Sequence, residues 1–203
     1  MDYTSQRKVD LQYAQGVVDM LNNSTDKYVV YKESRPIADL KHMLETSVQA
    51  YGDNVAFMQK FHKDEPYKSI TYKEAFETVN ALGTALINAG LKDKRIAVIG
   101  ENCYQWATSY LAVICGTGVV VPLDKELGAS ELGQLIKESQ ASAVMFTEKY
   151  TDIFKEIKEN GDSQLEILIK LNGDKQEENV LTWSGLIAEG KKLLEKGDRR
   201  FID

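Results

Sequence analysis

The stretch RIAVIGENCYQWATSYLAVICGTGVVVPLD, residues 95–124, decides the fold that this sequence predicts. Two apolar runs, IAVI and VVV, enclose a segment that is long enough for a helix. Runs that are apolar at every position are typical of parallel strands whose two faces are both covered. We therefore interpret the stretch as a buried strand, a buried helix and a second buried strand.

Strand-like runs recur beyond this stretch at a nearly even spacing. They begin near four residues: Ile96, Val119, Ala143 and Glu166. Helical segments fill the gaps between them: residues 103–115, 130–139 and 150–160. Because parallel strands are joined by right-handed crossovers, this alternation predicts an α/β fold with a doubly wound, mainly parallel sheet flanked by helices.

The last strand of the series has a different pattern. In residues 165–171 the charged Glu166 and Lys170 alternate with Ile167 and Ile169, which is typical of a strand nearer the sheet edge. Residues 172–179 are polar and predict a loop, and Thr182 then caps a final helix.

The N-terminal third predicts an appendage to this sheet, made of helices and a β-hairpin. Residues 3–23 have helical spacing, residues 28–31 are extended, and Pro36 suits the first turn of a helix that runs to about Ala50. Two runs rich in β-forming residues, 55–61 and 67–72, come after it as a hairpin.

A capping box, Thr71 with Glu74, begins the next helix directly after the hairpin. We accordingly predict two parts, residues 1–72 with the N-terminal helices and hairpin, and residues 73–203 with the parallel α/β subdomain.

Composition narrows the class of function. The 203 residues carry a net charge of −6, which argues against a nucleic-acid partner. Cys103 and Cys115 lie on one predicted helix about 18 Å apart, too far for a disulfide, so two free thiols predict a cytoplasmic protein.

The N-terminus shows no apolar signal segment. Residues 102–123 carry no charge and could span a bilayer, but the glycines and proline within them favour a helix, a turn and a strand.

A nucleotide site in such a fold normally has a glycine-rich turn after a strand, so that backbone amides can face the phosphates. Here the turn has the single glycine Gly100, followed by the acidic Glu101. Gly116 and Gly118 fall at a helix end, where a glycine cap is expected. No G-x-x-x-x-G-K-[ST] motif occurs, so a self-contained nucleotide site is not predicted.

Other candidate sites are equally sparse. His42 and His62 have no partners at metal-ligand spacing, and the acidic pairs 64–65 and 177–178 are expected to be solvated. A receiver-like acidic site would need Glu101 and Asp124 to come together, and we disfavour it. Asn102, with Gln105 three residues later, predicts a helix N-cap, and its place after a strand also permits a ligand role.

Two motifs in order resemble the AMP-forming adenylating enzymes, which include acyl-CoA synthetases, peptide-synthetase adenylation domains and luciferases. The first is ITYKEA at residues 70–75, followed by RIAV at 95–98, Glu101-Asn102 and Trp106. The second is GTGVVVPLD at residues 116–124. The resemblance covers residues 36–203 and is greatest to bacterial long-chain fatty-acid–CoA ligases. Ala75 replaces a common leucine of the family, and CGTG at 115–118 replaces a Lys-Ala-Gly turn.

The resemblance implies a two-step reaction: a fatty carboxylate and ATP form an acyl-adenylate, and CoA then displaces AMP, with magnesium neutralising the phosphates. The family's phosphate loop and its later catalytic motifs have no counterpart here, so no catalytic, cofactor-binding or metal residue is carried over. The resemblance therefore implies an N-terminal scaffold fragment, inactive by itself, of a long-chain fatty-acid–CoA ligase. The alternative is a free-standing, non-catalytic α/β binding or interaction module. Exposed strand edges also predict possible homo-oligomers.

Overall fold

The structure, a computed structural model, describes residues 35–62, 64–173 and 177–203. The chain divides into two units, Met1–Ile37 and Ala38–Asp203. Of the first unit only residues 35–37 are described, so the predicted helix at 3–23 and the extended piece at 28–31 lie outside the described residues. All of the described helices and strands belong to the second unit.

Helices and strands alternate through the second unit. Its described helices are α1 Leu40–Tyr51, α2 Tyr72–Asn88, α3 Tyr104–Ala112, α4 Ala129–Ser139, α5 Thr151–Glu159 and α6 Trp183–Glu195. Its described strands are β1 Val55–Gln59, β2 Lys68–Thr71, β3 Arg95–Ile99, β4 Val119–Pro122, β5 Ala143–Phe146, β6 Ile167–Lys170 and β7 Val180–Thr182.

Five of these strands form one parallel sheet in the order β4-β3-β5-β6-β7. Alternate residues of each strand point to opposite faces. On one face Val98 and Met145 pack with α2, α3 and α6. On the other face Ile99 and Phe146 pack with α4 and α5. The predicted doubly wound α/β sheet is confirmed.

The hairpin is also confirmed, with β1 antiparallel to β2. Its end leads straight into α2, where the Thr71 side chain accepts a hydrogen bond from the Glu74 amide and the Glu74 carboxylate accepts one from the Thr71 amide. This reciprocal pair is the predicted capping box. Because two orphan donors are satisfied at one helix start, the hairpin and α2 meet without a linker.

The charge-free run at residues 102–123 contains α3, a π-helical turn at Val113–Thr117 and β4. The Gly118 amide donates to the Val113 carbonyl, so the predicted glycine cap does close this helix. Among the described residues no helix is long and apolar enough to cross a membrane.

Two predicted details are wrong. Pro36 lies before α1, because Asp39 is the N-cap and its carboxylate accepts from the His42 amide. Cys103, not Asn102, caps α3, with its Sγ accepting from the Trp106 amide. The predicted cap of the last helix is confirmed, since the Thr182 side chain accepts from the Gly185 amide. A short strand that was not predicted, β7, precedes this helix and runs parallel to β6 at the sheet edge.

Lys170 is the last residue of β6, opposite Thr182 of the edge strand β7. Its side chain is only 1% exposed. Two carboxylates, Glu177 and Glu148, lie near its ammonium and explain how this charge can be buried.

Candidate functional site

The carboxyl end of the parallel sheet contains the best candidate for a site. β4 and β5 lie on opposite sides of β3, so the chain changes direction there. Doubly wound folds bind ligands outside the carboxyl ends of the strands at such a switch point. The turns after β3 and β5 therefore decide which ligands this end of the sheet accepts.

The turn after β3 is in close contact with the turn after β5. Gly100 has φ of +149°, a conformation that favours glycine. A Cβ on Gly100 would lie 2.5 Å from Cγ2 of Thr147, so the two turns can approach only because this side chain is missing. Thr147 thus packs directly against the turn that follows β3.

Glu101 binds two lysines from the adjacent turns. Its carboxylate accepts a hydrogen bond of 2.7 Å from Nζ of Lys125, which follows β4, and another of 2.7 Å from Nζ of Lys149, which follows β5. The Lys125 hydrogen bond first, and then that of Lys149, lower the pKa of Glu101 to about 2. One anion therefore links three turns, but all three side chains are substantially exposed, so salt screens the interaction.

A second, more buried charge cluster lies at the end of β6. Glu177 is 11% exposed and accepts from Nζ of Lys170 at 3.0 Å and from Nζ of Lys155 on α5. Glu148 approaches the same Lys170 ammonium at 3.7 Å from the turn after β5. The Lys155 hydrogen bond, and after it that of Lys170, lower the pKa of Glu177 to about 2. The prediction that residues 177–178 are simply solvated is therefore wrong for Glu177.

This cluster makes the free energy of unfolding depend on pH in the acidic range. The pKa of Glu177 is lowered from 4.5 to about 2, so its stabilising charge is complete above pH 4.5 and is lost as pH falls through 2. Glu177→Gln should be less stable than the wild type at pH 7, and the difference should shrink between pH 4.5 and 2. Urea unfolding at several pH values measures it.

Glu178→Gln is the matched control, since the adjacent Glu178 is exposed. It should unfold like the wild type throughout this pH range. A Glu177→Gln deficit that stayed constant from pH 7 to pH 2 would contradict the role of the buried charge.

The other predicted site residues are not brought together. Asp124 accepts from the amide of Glu126 two residues later, while Glu101 binds its lysines, so no receiver-like acidic cluster forms. His42 accepts from the Ala38 amide through Nδ1. Burial raises the pKa of Cys115 to about 11, which makes its thiol unreactive. In the described ranges no group of three His, Cys, Asp or Glu side chains could hold a metal.

Lys125, Lys149 and Lys170 are the residues that sequence reasoning missed. Each lies at or just after the carboxyl end of a parallel strand, and these strand ends lie together at one end of the sheet. The position of the lysines relative to the strand ends could therefore have indicated that they lie near one another, although no local motif contains them.

The chain resembles known proteins in sequence. Residues 44–198 match the family described as AMP-binding enzyme. Long chain acyl-CoA synthetase 1 of Arabidopsis thaliana is 32% identical over 102 residues, which cover 48% of this chain and 16% of that protein. Long chain acyl-CoA synthetase 4 of the same plant is 27% identical over 164 residues, 77% of this chain and 24% of that protein. The chain thus spans at most about a quarter of the length of these relatives.

Solved structures share the fold. A long-chain-fatty-acid-CoA ligase from Archaeoglobus fulgidus superposes with a TM-score of 0.65 at 18% identity, over 78% of this chain and 31% of its own. The A-PCP didomain of a carboxylic acid reductase from Segniliparus rugosus, in complex with AMP, gives 0.67 at 16% identity, over 78% of this chain and 27% of its own. The parallel sheet of this chain is therefore a recurring unit in larger proteins.

Proposed function

Because this chain belongs to the AMP-binding enzyme family, we propose that it forms the N-terminal scaffold of an ATP-dependent, AMP-forming long-chain fatty-acid–CoA ligase. The match over residues 44–198 carries the proposal, and the relatives named as long-chain synthetases support the choice of substrate. In the whole protein, a fatty carboxylate attacks the α-phosphate of ATP and releases pyrophosphate. The thiol of CoA then displaces AMP from the acyl-adenylate.

The part of this chain in that reaction is to hold the sheet on which reacting groups are mounted. Two observations support this limited part: Glu101, the acid of the turn after β3, is bound to two lysines, and the described residues contain no group of three metal-ligand side chains. We therefore assign no step through the metal, and no contact with ATP, to residues of this chain.

The 203-residue chain alone should be inactive. With a long-chain fatty acid, ATP and magnesium, it should give no ATP–pyrophosphate exchange above a blank without protein. The physical reason is that the 203 residues contain no glycine-rich phosphate loop, so the backbone donors that would hold the phosphates are not supplied. A complete acyl-CoA ligase assayed in parallel is the positive control. Robust exchange by the chain would overturn the scaffold role.

The coding sequence beyond Asp203 tests the parent enzyme separately. A Thr/Ser/Gly-rich loop that ends in lysine, soon after this residue, supports the ligase. A stop codon directly after it favours the binding module instead. The division at residues 72 and 73, the cytoplasmic location and self-association through strand edges stay predictions.

A further inference from the structure

An open cleft of about 360 Å³ lies at the carboxyl ends of β6 and β7. It is separate from the Glu101 cluster, and the proposed function assigns nothing to it. The side chains that matter for its chemistry come from the hairpin, α3, the end of β6 and the start of α6: Phe61, Gln105, Lys170, Asn172, Trp183 and Ser184.

The amide of Gln105 has an NH₂ group that can donate to a ligand in this cleft. Oε1 of Gln59 accepts from the backbone amide of Tyr104, which fixes the orientation of the Gln59 side chain. Nε2 of Gln59 must then be the donor to Gln105, and it lies 2.9 Å from Oε1 of that residue. This bond identifies the oxygen of Gln105, so the other end of its amide is an NH₂ group that can donate to a ligand.

Asn172, which follows β6, also has an amide whose oxygen accepts a hydrogen bond from the protein. Its Oδ1 accepts from the backbone amide of Glu148 at 2.8 Å, so its NH₂ group is likewise left for a ligand. In both cases a backbone N–H fixes which atom is oxygen, so the assignment does not depend on a choice between amide flips.

A buried cation adds to these donors. Lys170 is 1% exposed and lines the cleft, with Glu177 as its near partner at 3.0 Å. A second described carboxylate, Glu148, is 3.7 Å from the ammonium and 51% exposed, so it is held less tightly than Glu177. An entering anion could take the place of Glu148 beside the ammonium while Glu177 stays in position.

Two rings supply an apolar wall. Phe61 and Trp183 both meet the ring of Tyr104 edge-on, with centroid distances of 6.5 and 5.9 Å. Tyr104 is itself buried and donates its hydroxyl to Thr78. The wall is therefore held in place before any ligand arrives.

We propose that this cleft binds a small aromatic anion. Two amide NH₂ groups and one ammonium select an oxyanion, and the two rings select a flat apolar body. Both requirements come from the same few side chains, so a ligand needs both features to bind well.

Benzoate is the probe, and Trp183 is the reporter in a Trp106→Phe background that keeps the ring stacked on Tyr110. Fluorescence titration should show saturable binding of benzoate. Benzamide should bind about tenfold more weakly, the size expected for losing a charge-assisted hydrogen bond. Inorganic phosphate at the same concentration should not compete. Equal binding of benzamide, effective competition by phosphate, or no saturation by benzoate would each overturn the proposal.

Isosteric variants locate the site. Gln105→Glu and Asn172→Asp keep the accepting oxygen but replace the NH₂ donor with a charged oxygen, and each should weaken benzoate about tenfold. Glu148→Gln should strengthen it, since the competing carboxylate is removed. Gln164→Glu makes the same charge change at the amino end of the sheet and should have no effect.

Thermal melts of each variant check that it folds. If a variant unfolds, the comparison of benzoate with benzamide on the parent chain still decides the question. Unchanged benzoate affinity in folded Gln105→Glu and Asn172→Asp would overturn the assignment to this cleft.

Discussion

Gly190→Ala is expected to destabilise the chain by about 3 kcal/mol or more, the upper end of the cost of overpacking a core. Gly190 is a buried residue of α6. A Cβ built there would lie 1.8 Å from the carbonyl oxygen of Ala81 on α2, and 2.5 Å from its carbon. Because the obstacle is backbone, no rotamer change can relieve it, and α6 must move away from α2. That movement would open the core that both helices share with the sheet.

Urea unfolding followed by circular dichroism measures the effect as a lower midpoint at an unchanged slope. The matched control is Gly133→Ala in α4, the same chemical change inside another helix. Its Cβ would lie 3.7 Å from Ile157, an ordinary contact. Alanine is the better helix former, so this variant should gain up to about 1 kcal/mol. If both variants shifted in the same direction, the close approach of α6 to α2 would not be the cause.

The fold class was predictable because the pattern of apolar residues within a short stretch of sequence indicates whether that stretch is a buried strand or a helix. Runs such as IAVI are buried on both faces only in a covered parallel sheet, and the structure places them there. The Thr71–Glu74 capping box is equally local, and it was predicted to the residue. Both features involve neighbours within a few positions along the chain.

The differences from prediction have both local and long-range causes. Asn102 was the predicted cap, but the backbone path out of β3 gives the extended conformation of an N-cap to Cys103. The three-residue β7 is too short for a periodic pattern and forms because β6 offers it a partner. It pairs with β6 as far as Lys170, whose side chain is 1% exposed.

The contacts of the candidate site were not predictable from local sequence. The argument from Gly100 and Glu101 against a phosphate cradle stays a prediction. The partners of Glu101 could not be predicted, because Lys125 and Lys149 follow other strands and meet it only when the parallel sheet aligns their turns. Such long-range contacts depend on the order of the strands in the sheet. A correct prediction of each strand from one sequence does not give that order, so it does not predict these contacts.

Phe201→Ala is expected to cost about 3–5 kcal/mol, the range for truncating a buried phenylalanine. Phe201 is 2% exposed and belongs to the same core as α2 and α6. Nζ of Lys41 on α1 donates to the carbonyl oxygens of Phe201 and Ile202, which holds the turn in place. Urea unfolding measures the loss. Ile202→Ala, at a half-buried neighbour, should cost clearly less, and equal losses would point to general fraying of the turn.

The ring of Phe201 fits because Gly83 on α2 has no side chain. A Cβ on Gly83 would lie 2.2 Å from Cε2 of Phe201, so Gly83→Ala should destabilise the wild type by displacing the ring. In a Phe201→Ala background the ring is gone, the new methyl fills part of the cavity, and alanine favours the helix by about 1 kcal/mol. The same substitution should therefore change sign between the two backgrounds. A double-mutant cycle by urea unfolding measures this coupling, and additive effects would show that Gly83 and Phe201 do not form one packing unit.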